Sequence, residues 1–215
     1  MHVAILGATG AVGRTMLEVL EERDFPVDQL TLLASERSAG SKLSWKGKEY
    51  TLQAPAEGSF RDVDVAIFSA GGARSLEWGP RAAAEGAVVV DNSSAWRMDP
   101  EVPLVVPEVN AAAIANRPKG IIANPNCSTI QVVVALEPIR QAAGLNRVVL
   151  TTFQSVSGAG EKGKEALQRE MSTGSRDGSP FTRPIAANAV PQIGPFDANG
   201  WSEEERKMIF EPRKI

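Results

Sequence analysis

The chain has 215 residues, a formal net charge of −3 and 43% hydrophobic residues, the profile of a globular protein with room for one large domain or one and a half. No stretch approaches the roughly 18 consecutive apolar residues of a membrane helix, the start lacks the basic region and cleavage site of a secretory signal, and a mildly acidic chain without a basic block argues against nucleic acid as a partner. One cysteine and one histidine exclude an internal disulfide framework and argue against a Cys/His metal site, and the lone thiol suits a reducing cytoplasm.

Residues 3–6 form a short apolar run that ends at Gly7, as a buried parallel strand does. Val12, Met16, Leu17 and Leu20 fall at helical spacing and predict a helix that frays near Asp24-Phe25-Pro26. A second strand is predicted over residues 30–34, and Trp45 and Tyr50 flank Lys46-Gly47-Lys48-Glu49 as the arms of a hairpin. Residues 63–68 read as a third core strand, 75–85 as a helix stopped by Gly86, and 88–90 as a fourth strand. Residues 104–106 and 121–123 are shorter apolar pieces between proline- and asparagine-rich loops. Alternation of strand, glycine turn and helix implies right-handed βαβ units and a parallel sheet covered on both faces. The fold class is therefore α/β, with a Rossmann-type domain over residues 1–126.

The character then changes. Residues 128–143 are predicted as a helix, 147–154 alternate as a long strand, and 160–173 form a charged amphipathic helix. Residues 175–184 read as a polar loop. A last helix is predicted over 202–209, with Ser202 as N-cap and Glu205 completing a capping box. Residues 127–215 are assigned to a second, α+β domain.

Gly7-Ala8-Thr9-Gly10-Ala11-Val12-Gly13 follows a strand and opens a helix. Glycines there permit close approach of a pyrophosphate, and the free N–H groups of the first helical turn hold its charge. The spacing departs from G-x-G-x-x-G, so a tight turn that binds nothing is the plain alternative. After the second strand comes Ser35-Glu36-Arg37-Ser38. One cation with two hydroxyls suits the 2′-phosphate of NADP, whereas an inward Glu36 carboxylate would favour NAD.

Asn124-Pro125-Asn126-Cys127-Ser128-Thr129 precedes an apolar helical run, which puts Cys127 at a helix N-terminus in an exposed turn. The positive end of the dipole there favours thiolate, a nucleophile for aldehydes, and backbone N–H groups can stabilise an oxyanion. The alternative for a lone cysteine is a buried structural role. Arg97 follows the polar loop Asp91-Asn92-Ser93-Ser94-Ala95-Trp96 at a strand end, where doubly wound folds place ligands. Gln154-Ser155-Val156-Ser157-Gly158-Ala159-Gly160 forms another turn into a helix, a candidate anion or cofactor nest.

In order and spacing, four of these segments, residues 7–13, 91–97, 124–129 and 154–160, resemble the aspartate-semialdehyde dehydrogenase family, and they span nearly the whole chain. The resemblance implies NADP as cofactor and reductive dephosphorylation of β-aspartyl phosphate to the semialdehyde, on the route to lysine, threonine and methionine. It implies Cys127 as the nucleophile that forms the acyl-thioester, Gln154 as the residue that orients substrate, Arg97 and Lys207 as phosphate ligands, and Glu204 as the receiver of the substrate amino group. Ser35, Arg37 and Ser38 become contacts of the 2′-phosphate. Gly7, Thr9, Gly10, Ala11, Val12 and Gly13, with Ser157 and Gly158, lie along the cofactor. A homodimer formed through the substrate domain is also implied.

The family also uses an acid/base histidine and a carboxylate-binding arginine further along its chains. The single histidine here, His2, opens the first strand and is expected to pack there or face solvent. The 215 residues are therefore expected to be a fragment, a nicked piece or an incomplete sequence of a longer protein. Without the acid/base such a piece should lose roughly 10²–10⁴ in rate, and an uncovered apolar face after about residue 127 would favour disorder or aggregation. Three rivals stand beside this reading. They are a related acyl-phosphate or acyl-thioester reductase (acting on N-acetylglutamyl phosphate or malonyl-CoA), a non-catalytic NADP-binding paralogue serving as an interaction subunit, and a Rossmann module without ligand.

Overall fold

The structure, a computed structural model, describes all residues from Met1 to Ile215. Two compact units divide the chain, one of Met1–Glu137 with Glu211–Ile215, the other of Pro138–Phe210.

The first unit is built on five parallel strands, in the spatial order Gln29–Leu33, His2–Leu6, Val65–Phe68, Val88–Asp91 and Ile121–Ala123. Strand β1 (His2–Leu6) leads into helix α1 (Ala11–Glu22) and strand β2 (Gln29–Leu33). The hairpin follows as β3 (Lys42–Trp45) and β4 (Lys48–Thr51), turning through Lys46 and Gly47 at φ of 47° and 72°. Two positive φ values suit the right-handed twist of a two-residue hairpin. Strand β5 (Val65–Phe68), helix α2 (Gly72–Ala84), strand β6 (Val88–Asp91), the short helix α3 (Pro107–Asn110) and strand β7 (Ile121–Ala123) complete the sheet. Leu104 adds only an isolated parallel bridge to Ala123. Helix α2 begins three residues before its predicted start.

Side chains alternate between the two faces of the sheet, as a period of two requires. Ala4, Leu6, Ala66 and Phe68 pack on one face with Phe60, Trp78 and Ala82. Val3 and Ile5 pack on the other with Leu17, Leu20 and Trp45. The hairpin is tied to α1 by the Trp45 indole, whose Nε1 donates to Leu17 O at 2.8 Å. His2 is structural: its ring nitrogens lie 2.9 Å from Asp62 O and 2.8 Å from Thr31 Oγ1. No helix is long and apolar enough to cross a membrane.

Helix α4 (Cys127–Ala143) runs from the first unit into the second, with the border between the compact units inside it. The second unit contains helix α5 (Glu161–Thr173), closed by Gly174 in the left-handed region at φ 71°, and most of helix α6 (Glu203–Lys214). The predicted capping box is formed: Ser202 N donates to Glu205 Oε2 at 2.7 Å, and Glu205 N donates to Ser202 Oγ at 3.2 Å. The helix continues five residues past its predicted end, through Pro212.

The strand predicted over 147–154 is not formed. A strand must pair its N–H and C=O groups with a neighbour, and no segment of these 215 residues forms a ladder with it. Val149 and Phe153 are consequently 76% and 90% exposed.

The loop that follows α5 is organised by one buried carboxylate. Glu170 Oε2 accepts from Ile185 N at 2.7 Å and Ala186 N at 3.0 Å, and Arg176 Nε lies 3.7 Å from Oε1. The Ala186 N–H chiefly holds Glu170 below the ordinary glutamate value of 4.5, against the opposing effect of burial. A depressed native pKa adds stability that is complete above the unfolded value and is lost as pH falls through the native one. Hydrogen exchange at Ile185 and Ala186 should therefore accelerate as pH is lowered from 4.5, after correction for intrinsic exchange. Glu170→Gln should remove that pH dependence, and its persistence in the variant would refute the assignment.

Candidate active site

The chain leaves β1 for β2 on one side and later adds β5 on the other, so the sheet reverses its strand order beside β1. Ligands of doubly wound sheets bind at the carboxyl ends of strands at such a switch point. Backbone hydrogen bonds align the successive loops on that edge. Ser69 N donates to Leu6 O at 2.8 Å, Asn92 N to Phe68 O at 2.9 Å, and Asn124 N to Asp91 O at 2.8 Å. The glycine loop, the Asp91–Arg97 loop and the turn before Cys127 thus share one edge of the sheet.

At the first of these, Gly7 has φ +95°, and a Cβ on it would lie 2.4 Å from Ser69 O. A Cβ on Gly13 would lie 2.2 Å from Gly7 O and 2.9 Å from Ala8 Cα. Both glycines are therefore required by packing of the turn itself. Gly10 differs. It is the N-cap of α1, it makes no side-chain cap, and its Cβ would meet nothing nearer than Gly7 O at 3.4 Å. No acidic residue occupies the first turn, which leaves the N–H groups around Thr9, Ala11 and Val12 for an external anion. A phosphate group fits this donor set.

Ser35 to Ser38 follow β2 as a tight turn, with the hydroxyls of Ser35 and Ser38 3.5 Å apart. Glu36 and Arg37 are both exposed. Arg37 forms no ion pair, so its guanidinium is available to an anion, and the position of Glu36 beside it does not neutralise it through a bond.

Cys127 is the first residue of α4 and is exposed. Its neighbours are not: Asn126 and Ser128 are 7% exposed and Thr129 is fully buried, which corrects the expected exposed turn. Asn126 caps the helix, its Oδ1 accepting from Ser128 N at 3.0 Å and Thr129 N at 3.4 Å. A buried, hydrogen-bonded frame therefore presents a single accessible thiol, whose Sγ lies 4.0 Å from Ser128 Oγ.

Arg97 is 7% exposed, and each of its three nitrogens donates. Nε reaches Asn124 O at 2.9 Å, Nη2 reaches Asn92 O at 3.1 Å, and Nη1 reaches Glu211 Oε1 at 3.0 Å. The guanidinium has five N–H groups, so two remain for a ligand. The loop around it is fixed by Ser93 Oγ donating to Asp91 Oδ2 at 2.6 Å and Trp96 Nε1 donating to Ser75 Oγ at 2.9 Å.

Within the second unit, three predicted residues come together. Gln154 Nε2 donates to Glu204 Oε1 at 2.9 Å, and Lys207 Nζ lies 3.5 Å from Glu204 Oε2 and 2.8 Å from Glu203 Oε1. Ser157 and Gly158 occupy a short turn in which Ser157 N donates to Ser155 Oγ at 3.3 Å. Glu211 and Lys214 lie beyond residue 209, where the sequence pattern ends the last helix, so that pattern does not bring them to the site. Their i, i+3, i+4 and i+7 spacing from Glu204 and Lys207 was the available signal.

Fold and site together define an α/β protein of the dinucleotide-binding type that presents a thiol on its ligand edge. The comparisons with known proteins agree. Residues 2–117 match the family described as semialdehyde dehydrogenase, NAD binding domain, and residues 136–215 match the semialdehyde dehydrogenase dimerisation domain. The chain belongs to the semialdehyde dehydrogenase family. It is 57% identical to the aspartate-semialdehyde dehydrogenase of Aquifex aeolicus over 221 aligned residues, covering 100% of this chain and 65% of the relative. The crystal structure of aspartate semialdehyde dehydrogenase II of Vibrio cholerae, complexed with ASA, is similar at a TM-score of 0.94 and 52% identity, over 100% of this chain and 65% of that one. The Candida albicans enzyme solved with NADP is similar at a TM-score of 0.71 and 28% identity, over 100% of this chain and 59% of that one. The chain thus spans about 65% of the length of the first two relatives.

Proposed function

We propose that residues 1–126 are the NADP-binding domain, and 127–215 the first part of the substrate and dimerisation domain, of an aspartate-semialdehyde dehydrogenase. In this reading the protein reductively dephosphorylates β-aspartyl phosphate to aspartate-β-semialdehyde through a thioester on Cys127, as a cytoplasmic homodimer. The observation that carries the proposal is the exposed Cys127 at the start of α4, on the same sheet edge as the glycine loop, in a chain 57% identical to the Aquifex enzyme.

NADP, when bound, supplies the hydride chemistry. The residues proposed to hold it are Gly7, Thr9, Gly10, Ala11, Val12 and Gly13 at the pyrophosphate, Ser35, Arg37 and Ser38 at the 2′-phosphate, and Ser157 and Gly158 as further contacts. In the oxidative direction the Cys127 thiolate forms a bond to the aldehyde carbon as the C=O π pair moves to oxygen, and that carbon's hydride is what the bound NADP would accept. Once that carbon stands at the thioester level, a phosphate oxygen attacks it, the C–S bond breaks, and the thiolate is regenerated. Arg97 and Lys207 are assigned to the phosphate, Gln154 to orienting the acyl group, and Glu204 to the substrate ammonium.

The test is NADPH formation by the full-length protein with phosphate and either aspartate semialdehyde or N-acetylglutamate semialdehyde. Preference for aspartate semialdehyde supports the reading. Preference for the acetylated substrate reassigns the enzyme, and NADP binding without turnover on either makes the protein a nucleotide-binding subunit.

The cofactor assignment has its own expected result. A charged hydrogen bond contributes about 1.5–3 kcal/mol, so Arg37→Ala should weaken NADP binding by about 10-fold or more and leave NAD binding unchanged. Equal losses for both cofactors in a fluorescence titration would remove Arg37 from the 2′-phosphate.

A further inference from the structure

The residue that joins the two halves of the sheet-edge site is a buried carboxylate on the last turn of α6. Glu211 is 2% exposed. Its Oε1 accepts from Arg97 Nη1 at 3.0 Å, and its Oε2 accepts from Asn126 N at 2.7 Å, the backbone group immediately before Cys127. Each carboxylate oxygen thus serves a different segment. One turn further, Lys214 Nζ donates to Arg97 O at 2.7 Å, Asp99 O at 2.6 Å and Val102 O at 2.8 Å, which pins the backbone of the same loop. Side-chain charge and backbone of the Arg97 loop are therefore both held from α6.

We infer that Glu211 is a positioning residue, which sets the Arg97 guanidinium and the Asn126–Cys127 turn in one fixed relation. This rests on the assignment of Cys127 and Arg97 under the proposed function. Its physical basis is the geometry of the bridge. A glutamate reaches both donors, and an aspartate, one methylene shorter, cannot hold both. A glutamine offers one acceptor and one donor to two donors, so one contact must break. The carboxylate also compensates the charge of Arg97. Without it, the guanidinium stands as an unpaired cation beside the turn that carries the thiol, a field that favours the nucleophilic thiolate.

The experiment compares wild type, Glu211→Gln, Arg97→Lys and the double variant of the full-length protein. Glu211→Gln is expected to raise the KM for inorganic phosphate by about fivefold or more, with NADP affinity held within about twofold. If Glu211 acts through Arg97, the double variant stays within about twofold of the worse single variant. In the absence of any substrate, iodoacetamide alkylation of Cys127 at neutral pH should accelerate by about threefold or more in Glu211→Gln. Multiplying losses, or a phosphate KM and alkylation rate equal to wild type, would overturn the inference. Should Glu211→Gln not fold, Glu211→Asp carries the same comparison of phosphate KM. A wild-type protein with no phosphate-dependent turnover refutes the proposed function, and the alkylation rates alone then decide whether Glu211 governs the thiol.

Discussion

Cys127→Ser should abolish turnover while leaving the protein folded and able to bind NADP. An alcohol at this position is not ionised at neutral pH, and removing a covalent nucleophile that works with its surroundings as a unit costs roughly 10⁴-fold or more. The side chain is exposed, and its one side-chain hydrogen-bond contact, to Ser128 Oγ, is long at 4.0 Å. Little packing energy is therefore lost, and the melting temperature should not change. Steady-state rates of NADPH formation by the full-length protein measure the loss. Mass spectrometry of wild type incubated with NADP and aspartate semialdehyde, without phosphate, should reveal an acyl adduct on Cys127. A serine variant that retains more than about one hundredth of the wild-type rate would end the thioester proposal.

The second large effect is structural, and it separates two glycines of the same loop. Gly13→Ala places a methyl 2.2 Å from Gly7 O and 2.9 Å from Ala8 Cα. Both are backbone atoms of a turn packed against the sheet, so no flexible side chain can yield. The expected cost is about 3 kcal/mol or more, a fall of about 10 °C in the melting transition for a chain of this size. Gly10→Ala is the contrast. Gly10 has φ −70° and ψ 161°, which any residue adopts, and its new methyl would meet only Gly7 O at 3.4 Å. That variant should melt like wild type, yet bind NADP more weakly if the pyrophosphate lies over the first turn of α1. Calorimetry and a cofactor titration on the two variants check both statements. A Gly10→Ala protein with undiminished NADP affinity would move the pyrophosphate away from this turn.

Much of the fold and part of the site were legible as local pattern. The run that ends at Gly7, the helical spacing of Met16, Leu17 and Leu20, and the hairpin between Trp45 and Tyr50 each depend on residues within one or two turns of one another. So does the capping box of Ser202 and Glu205, formed as its spacing predicts. Cys127 at a helix start is of the same kind, because the Asn126 cap and the apolar run after it are adjacent in the chain. The fixity of its flanks was not legible. Polar residues such as Ser128 and Thr129 read as exposed, yet they are buried in the folded chain.

The sequence by itself determined the parallel α/β unit, the anion-ready glycine turn and the accessible thiol, because periodicity, capping and backbone sterics act over short separations. Tertiary structure alone decided three other matters. The segment over 147–154 has the alternation of a strand and forms none, because a ladder needs a partner that local pattern does not supply. Gln154 meets Glu204 across 50 positions of sequence. Glu211 meets Arg97 across 114, buried where an unpaired charge could not persist, so that each ion there exists only because the fold delivers the other.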